Sequence, residues 1–222
     1  MSKSRSLAQK VFRTQSLDIR RNMSSQDKIH FGPFEVTSQV FYKTAHSFAL
    51  VNLKPLLPGH VLVCPLKPHK RLTDLQPVEV TDLFTTTQLI QKMLARRYFS
   101  NTTTTSEPAA PEAGSFNIAV QDGADAGQTV SHVHVHIIPR VPGETGKDGE
   151  GPRDEIYEQM SAEEGNVGGA LWDAELGRRP EAGGKFARIE DAMRKARGME
   201  EMVAEADSYR ELLKDMGSLS ES

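Results

Sequence analysis

A strict alternation of histidine with aliphatic residues near the middle of the chain constrains its fold more than any other feature. From His132 to Ile138 the sequence reads His-Val-His-Val-His-Ile-Ile. Side chains of a β-strand point alternately to the two faces of a sheet, so the histidines share one face and the aliphatic residues the other. We predict a strand over 129–138 that carries three imidazoles within about 14 Å. It should stop before Pro139, which cannot donate to a central ladder.

Shorter patterns predict an α+β fold around this strand. Alternating runs indicate further strands at 40–42, 47–52, 60–64 and 116–121. Apolar residues at helical spacing indicate a helix that begins at Pro77 and extends to Tyr98, since proline is tolerated in a first helical turn. We therefore expect an antiparallel sheet of about five strands with a long helix on one face.

The chain of 222 residues divides by composition into four segments. We expect a basic, serine-rich tail over 1–29, a packed domain over 30–140, a flexible segment over 141–185 and a helix over 186–217. Within the domain, the polar stretch 101–114 predicts a mobile surface loop. In the last helix, Met199 is expected on the apolar side and Gly198 is expected to weaken the helix by about 1 kcal/mol.

Composition excludes several classes of protein. The formal net charge of −3 gives no basic field for nucleic acid, and no apolar run approaches the roughly 18 residues of a membrane-spanning helix. The single cysteine, Cys64, rules out an intramolecular disulfide and favours a reducing compartment. We expect a cytoplasmic or nuclear protein. Mitochondrial import is the alternative if the basic residues 1–28 act as a presequence.

Three imidazoles on one face suit two kinds of chemistry. Neutral imidazole is a common zinc ligand, so a tri-histidine metal protein is one interpretation. In the other, one imidazole attacks phosphorus. Gly-Gln-Thr-Val at 127–130 precedes the histidines, and its amides and polar side chains suit phosphate oxygens. No HExxH motif or nearby carboxylate accompanies the strand, so phosphoryl transfer is favoured.

The motif resembles that of the histidine triad nucleotide hydrolases and transferases, His-x-His-x-His-x-x with x apolar. It is most similar to the fragile histidine triad branch, the dinucleoside triphosphate hydrolases, and the similarity extends through the segments 48–55, 58–65, 82–88 and 121–140. The resemblance implies a homodimer whose two sheets join, and cleavage of diadenosine triphosphate to AMP and ADP. The alternative is a dinucleotide-binding signalling module in which hydrolysis is slow.

The resemblance also implies the site residues. His134 would be the nucleophile that forms a covalent AMP intermediate, with its other ring nitrogen donating to a carbonyl. His136 would contact the scissile phosphate and protonate the leaving nucleotide, while His132 and His60 orient the nucleophile. Phosphate contacts are expected at Gly127, Gln128, Thr129, Val130 and His136. Ribose and base contacts are expected at Asn52, Gln121, Leu50, Leu62 and Phe34, with Phe31 as the alternative stacking residue.

Two further expectations concern metals and the remaining histidines. Mg²⁺ or Mn²⁺ is expected to arrive with the polyphosphate, without a tightly bound cofactor or a resident metal site. His30, His46 and His69 are interpreted as surface or structural residues.

Overall fold

A computed structural model describes residues 28–100, 108–145 and 196–218. Its strands are β1 His30–Phe31, β2 Phe34–Glu35, β3 Val40–Lys43, β4 Ser47–Val51, β5 Val61–Pro65, β6 Ser115–Val120 and β7 Val135–Arg140. Its two α-helices are α1 Pro77–Tyr98 and α2 Met199–Asp215. Almost all of the predicted basic tail and most of the predicted flexible segment lie outside the described residues.

The five longer strands form one antiparallel sheet in the order β3-β4-β5-β7-β6. This confirms the predicted α+β class. Leu50 lies opposite Leu62, and Leu62 lies opposite His136. Because directly opposed residues share a face, the sheet brings two predicted base contacts and a predicted catalytic residue together.

Helix α1 begins where the sequence predicts, with Pro77 in its first turn. A capping box holds this end, since Glu79 accepts a hydrogen bond from the Gln76 N–H at 2.8 Å. The helix packs against β4, β5 and β7 through a fully buried apolar stripe. The stripe comprises Leu83, Ile90, Met93 and Leu94.

The predicted strand over 129–138 is wrong at both ends. The N–H of Val133 donates to the carbonyl of His69 at 2.7 Å, and that of His132 donates to Val130 at 2.7 Å, so this part forms a turn. Strand β7 starts only at Val135 and continues through Pro139. Proline is tolerated there because the pairing with β5 ends at Ile137, which leaves Pro139 opposite β6 alone.

The C-terminal helix also differs from its prediction within the described residues. It begins at Met199, so Gly198 precedes the helix and does not weaken it, and the Met199 side chain is 52% exposed. The buried side is formed by Met202, Ala206, Tyr209 and Leu213.

The predicted loop over 101–114 is described only from residue 108. Its end is not a purely solvated loop, because Ala109 is buried and residues 111–113 form a 3-10 turn. Nowhere in 28–100, 108–145 or 196–218 is there a helix of the length and apolarity that crossing a bilayer requires.

Candidate active site

The ring of His134 is held with one nitrogen fixed and the other unpartnered. Its Nδ1 lies 2.9 Å from the carbonyl oxygen of His132, an acceptor only, so Nδ1 carries the proton and donates. This is the carbonyl contact that the sequence analysis expects. The Nε2 atom therefore carries a lone pair, and it is buried without a hydrogen-bond partner among the described residues. A buried lone pair on a fixed imidazole is suited to nucleophilic attack.

The second ring of the site, His136, is fixed in the opposite tautomer. The N–H of Leu56 donates to His60 Nδ1 at 3.1 Å, which leaves the proton of His60 on Nε2. His60 Nε2 lies 3.0 Å from His136 Nδ1 and donates to it, so the proton of His136 lies on Nε2. That N–H is buried and has no partner within the described chain. The ring centroids of His134 and His136 are 4.8 Å apart, so a nucleophile and a proton donor stand side by side.

His132 supports this pair through its ring and its carbonyl group. Its Nδ1 accepts from the N–H of Gly32 at 3.1 Å, and its Nε2 donates to the carbonyl of Pro65 at 2.8 Å. Phe31 packs against both rings, at 5.4 Å from His132 and edge-on at 5.0 Å from His134. The ring of His132 thus anchors the turn whose carbonyl orients His134. Phe31 is thus a packing partner of these two histidines.

Burial keeps all three histidines of the motif neutral. It lowers the pKa of His132 and of His134 to about 4, because the charged ring loses its hydration. The pKa of His136 lies well below its usual range, for the same reason and because His134 and His60 would repel a positive charge. At neutral pH the nucleophilic lone pair is therefore fully available.

Residues 65–72, for which no role in catalysis was predicted, hold the loop over 122–133 that precedes the nucleophile. Residues 65–72 contact it repeatedly: the carbonyls of Pro65 and His69 accept from His132 and Val133, and the N–H of Leu72 donates to Asp122 at 3.0 Å. His69 is buried and pairs with Glu79 at 3.0 Å, which ties this segment to the start of α1. The interpretation of His69 as structural fits this position. Residues 65–72 make these three contacts through their backbone groups, so residue types gave no signal for them.

The predicted phosphate loop is braced by its own hydrogen bonds. Gln128 accepts from the N–H of Gly123 at 3.0 Å and donates to the carbonyl of Lys70 at 2.9 Å. The N–H of Gly127 donates to Ala124 at 2.9 Å, closing a 3-10 turn. The side chain of Gln128 and the amide of Gly127 are thus engaged within the loop, and contacts with phosphate at 127–130 stay predictions. Val130 is buried against Gly32, where a Cβ would clash.

Gly127 also allows Gln121 to approach the loop. Its φ of +90° is unfavourable for residues with a Cβ, and a Cβ there would lie 2.6 Å from Gln121 Nε2. Gln121 is buried and lies beside the loop that precedes the histidines. The glycine therefore brings a predicted nucleoside contact next to a predicted phosphate contact.

Asn52 lies at the other end of the site, directly against His60. Its Nδ2 is 3.3 Å from each ring nitrogen of His60, and its Oδ1 accepts from the N–H of Lys54 at 2.9 Å. Leu50 and Leu62 are fully buried beside it on the sheet. Phe34 is equally buried in the hydrophobic core, so its predicted stacking on a base requires that the core open around it.

The described side chains of the site are better suited to attack on phosphorus than to binding a metal ion. No group of three or more histidine, cysteine or acidic side chains is placed to hold a metal within 28–100, 108–145 and 196–218. The ring nitrogens of His132 are both used by backbone groups, so only two of the three histidines present an unpartnered nitrogen.

Known proteins are similar in sequence to this chain over most of its length. A family model described as "HIT domain" matches residues 33–143. The asymmetrical bis(5'-nucleosyl)-tetraphosphatase of Schizosaccharomyces pombe is 40% identical over 183 residues, which cover 81% of this chain and 91% of that protein. The bifunctional bis(5'-adenosyl)-triphosphatase/adenylylsulfatase FHIT of Arabidopsis thaliana is 38% identical, covering 89% of this chain and 91% of that protein.

A solved structure shows the same fold. The crystal structure of the C. elegans NitFhit protein matches with a TM-score of 0.53 and 33% sequence identity. The match covers 85% of this chain but only 31% of that longer one. The similarity therefore concerns one part of that protein.

Proposed function

Since the chain belongs to the HIT-domain family, we propose that it hydrolyses dinucleoside polyphosphates and cleaves diadenosine triphosphate to AMP and ADP. The family predicted from the histidine motif is confirmed by these matches. The relatives include a bis(5'-nucleosyl)-tetraphosphatase and a bis(5'-adenosyl)-triphosphatase, which supports the substrate class. The observation that carries the proposal is the buried lone pair of His134 beside the N–H of His136.

In the proposed first step, His134 Nε2 attacks the α-phosphorus and an N–P bond forms. The bond from phosphorus to the bridging oxygen of the leaving ADP breaks, and that oxygen accepts a hydrogen bond from the N–H of His136 Nε2, which stabilises its developing negative charge. A hydrogen-bond donor aimed at developing charge in this way is worth about 100- to 1,000-fold in rate. His60 supports His136 through its hydrogen bond at 3.0 Å, since it stabilises the proton donor in the required tautomer.

In the proposed second step, water attacks the phosphorus of the covalent intermediate. The protons of this water leave with AMP or pass to the solvent, while the N–H of His136 donates a hydrogen bond to the phosphoryl oxygens. The N–P bond breaks, AMP leaves and His134 regains its lone pair. We propose that Mg²⁺ or Mn²⁺ accompanies the polyphosphate charge. Phosphate oxygens would bind at 127–130, and the nucleoside at Asn52, Gln121, Leu50 and Leu62.

We also propose that the protein is a homodimer. Strand β6 is an edge of the sheet, and its Ile118 is 40% exposed, whereas at the other edge Arg210 of α2 donates to the carbonyl of Val40 in β3. An open edge favours pairing with a second copy. In light scattering, Ile118→Glu should yield monomers and Val78→Glu, an exposed site on α1, should not. A monomeric wild-type protein would contradict the dimer.

The test of the hydrolase is incubation with diadenosine triphosphate, with product analysis and acid quenching. We expect AMP and ADP, a captured adenylylated enzyme, and a loss of turnover above about 1,000-fold in His134→Asn. The matched control is His30→Asn, an exposed histidine, which should keep wild-type turnover. If His134→Asn turns over normally, the assigned nucleophile is wrong. If wild-type protein binds the dinucleotide but barely cleaves it, the signalling module is favoured.

A further inference from the structure

Arg197 fixes the position of Asn52 from a distant part of the sequence. Its guanidinium donates from Nε, at 3.1 Å, and from Nη2 to the carbonyl oxygen of Asn52. Its backbone N–H donates to the next carbonyl, that of Leu53, at 3.1 Å. Two consecutive carbonyls are thus held by one residue that lies just before α2.

These carbonyls need a partner because the sheet ends before them. The pairing of β4 with β5 stops at Val51, opposite Val61, so Asn52 lies beyond the last ladder hydrogen bonds. A strand end without such bonds would move, and a buried carbonyl without a donor is costly. Arg197 therefore replaces the missing ladder at the residue predicted to bind ribose.

Arg197 is itself held in place by a polar network. Its Nη1 lies 2.6 Å from Glu205 Oε2, and the arginine side chain is only 12% exposed. Glu205 Oε1 accepts from the hydroxyl of Tyr209 at 2.9 Å, and this hydroxyl lies 2.8 Å from that of Tyr98 in α1. The network connects α1, α2 and the end of β4, so the guanidinium approaches Asn52 from a rigid support.

We propose that Arg197 is a positioning residue that sets the geometry of Asn52 for the ribose hydroxyls of the bound nucleotide. This rests on the proposed function, which assigns ribose binding to Asn52. It goes further because it makes the segment that leads into α2 part of nucleotide recognition.

The chain offers a matched control for a purely structural role. Arg210 also attaches α2 to the sheet, donating from Nε at 3.1 Å to the carbonyl of Val40 in the neighbouring strand β3, rather than to the carbonyl of Asn52. If attachment of the helix were all that matters, Arg197→Ala and Arg210→Ala would have the same effect. The proposal predicts that only Arg197→Ala weakens nucleotide binding.

The experiment is titration calorimetry of the full chain with AMP and with 2′,3′-dideoxy-AMP, which lacks the ribose hydroxyls. We expect Arg197→Ala to weaken AMP about tenfold and dideoxy-AMP less than twofold, while Arg210→Ala leaves both near wild type. In an Asn52→Ala background, which keeps the backbone carbonyl, Arg197→Ala should weaken AMP no further. Equal weakening of the two ligands, or by the two arginine variants, would overturn the proposal.

A second variant covers the case in which Arg197→Ala does not fold. Arg197→Lys keeps the charge beside Glu205 but lacks the fork that reaches Asn52, so we expect AMP about threefold weaker. Wild-type affinity for AMP in this variant would overturn the proposal. Because binding of AMP needs no turnover, the measurement is independent of whether diadenosine triphosphate is hydrolysed.

Discussion

The burial of His134 predicts activity that persists in mildly acidic solution. Its pKa is lowered from 6.5 to about 4. At pH 5.5 about 97% of the rings are then neutral, whereas a ring with a pKa of 6.5 would be about 9% neutral. The nucleophile must be neutral, so kcat/KM at pH 5.5 should be about tenfold higher than an ordinary histidine would allow.

The assay is the pH dependence of kcat/KM for diadenosine triphosphate between pH 5 and pH 8. This parameter reports the pKa values of the free enzyme, and the phosphodiester-type phosphates of the substrate do not titrate in this range. We expect no decrease attributable to the nucleophile down to pH 5.5. A tenfold decrease with a midpoint near pH 6.5, in protein that remains folded, would refute the assignment of a buried, neutral nucleophile.

The same burial predicts that folding stability decreases in acid. His132 and His134 stay neutral in the folded state to about pH 4, whereas in the unfolded chain they bind protons near pH 6.5. The stabilisation of the folded state by these two neutral rings is complete above pH 6.5 and is lost as the pH falls toward 4. At pH 5.5 the free energy of unfolding should be lower by about 1.4 kcal/mol for each ring, or ~3 kcal/mol in all. Urea unfolding at pH 7.5 and 5.5 measures this difference, and equal midpoints would contradict it.

Three other predictions can be tested directly. Gly127→Ala should lower the free energy of unfolding by more than Gly143→Ala, because both have positive φ but only the Cβ at 127 meets Gln121; equal losses in urea unfolding would rule out the clash. Tyr209→Phe removes two hydroxyl contacts and should cost about 1–3 kcal/mol by the same assay, and an unchanged midpoint would show that the network contributes nothing. Residues 1–28 fused to a fluorescent reporter test the presequence alternative, which a diffuse cytosolic signal would end.

Local patterns were sufficient where each residue's role depends on its own neighbours in the sequence. Alternation placed Val135 and Ile137 on the apolar side of a central strand, and both are fully buried. A proline before an apolar stripe located the start of α1 at Pro77. The fold class and the family followed from the same short segments.

Local patterns failed where the backbone is held by a distant part of the chain. The alternation of histidine and aliphatic residues continues from His132 into β7. The N–H of Val133 nevertheless donates to the carbonyl of His69, so the chain turns away from the sheet there. Likewise, periodicity placed Met199 on an apolar face, although α2 begins there and leaves it exposed.

The sequence by itself determined which side chains carry the chemistry, because the identity and spacing of His132, His134 and His136 are local facts. Only the tertiary structure decided which nitrogen of His132 and of His136 is protonated. That depends on partners far along the chain, such as the Leu56 amide and the His60 ring for His136. It likewise brought Arg197 to the carbonyl of Asn52. A hydrogen bond between segments separated by more than a hundred residues leaves no periodic signal in a sequence, since it requires only that folding place a donor beside an acceptor.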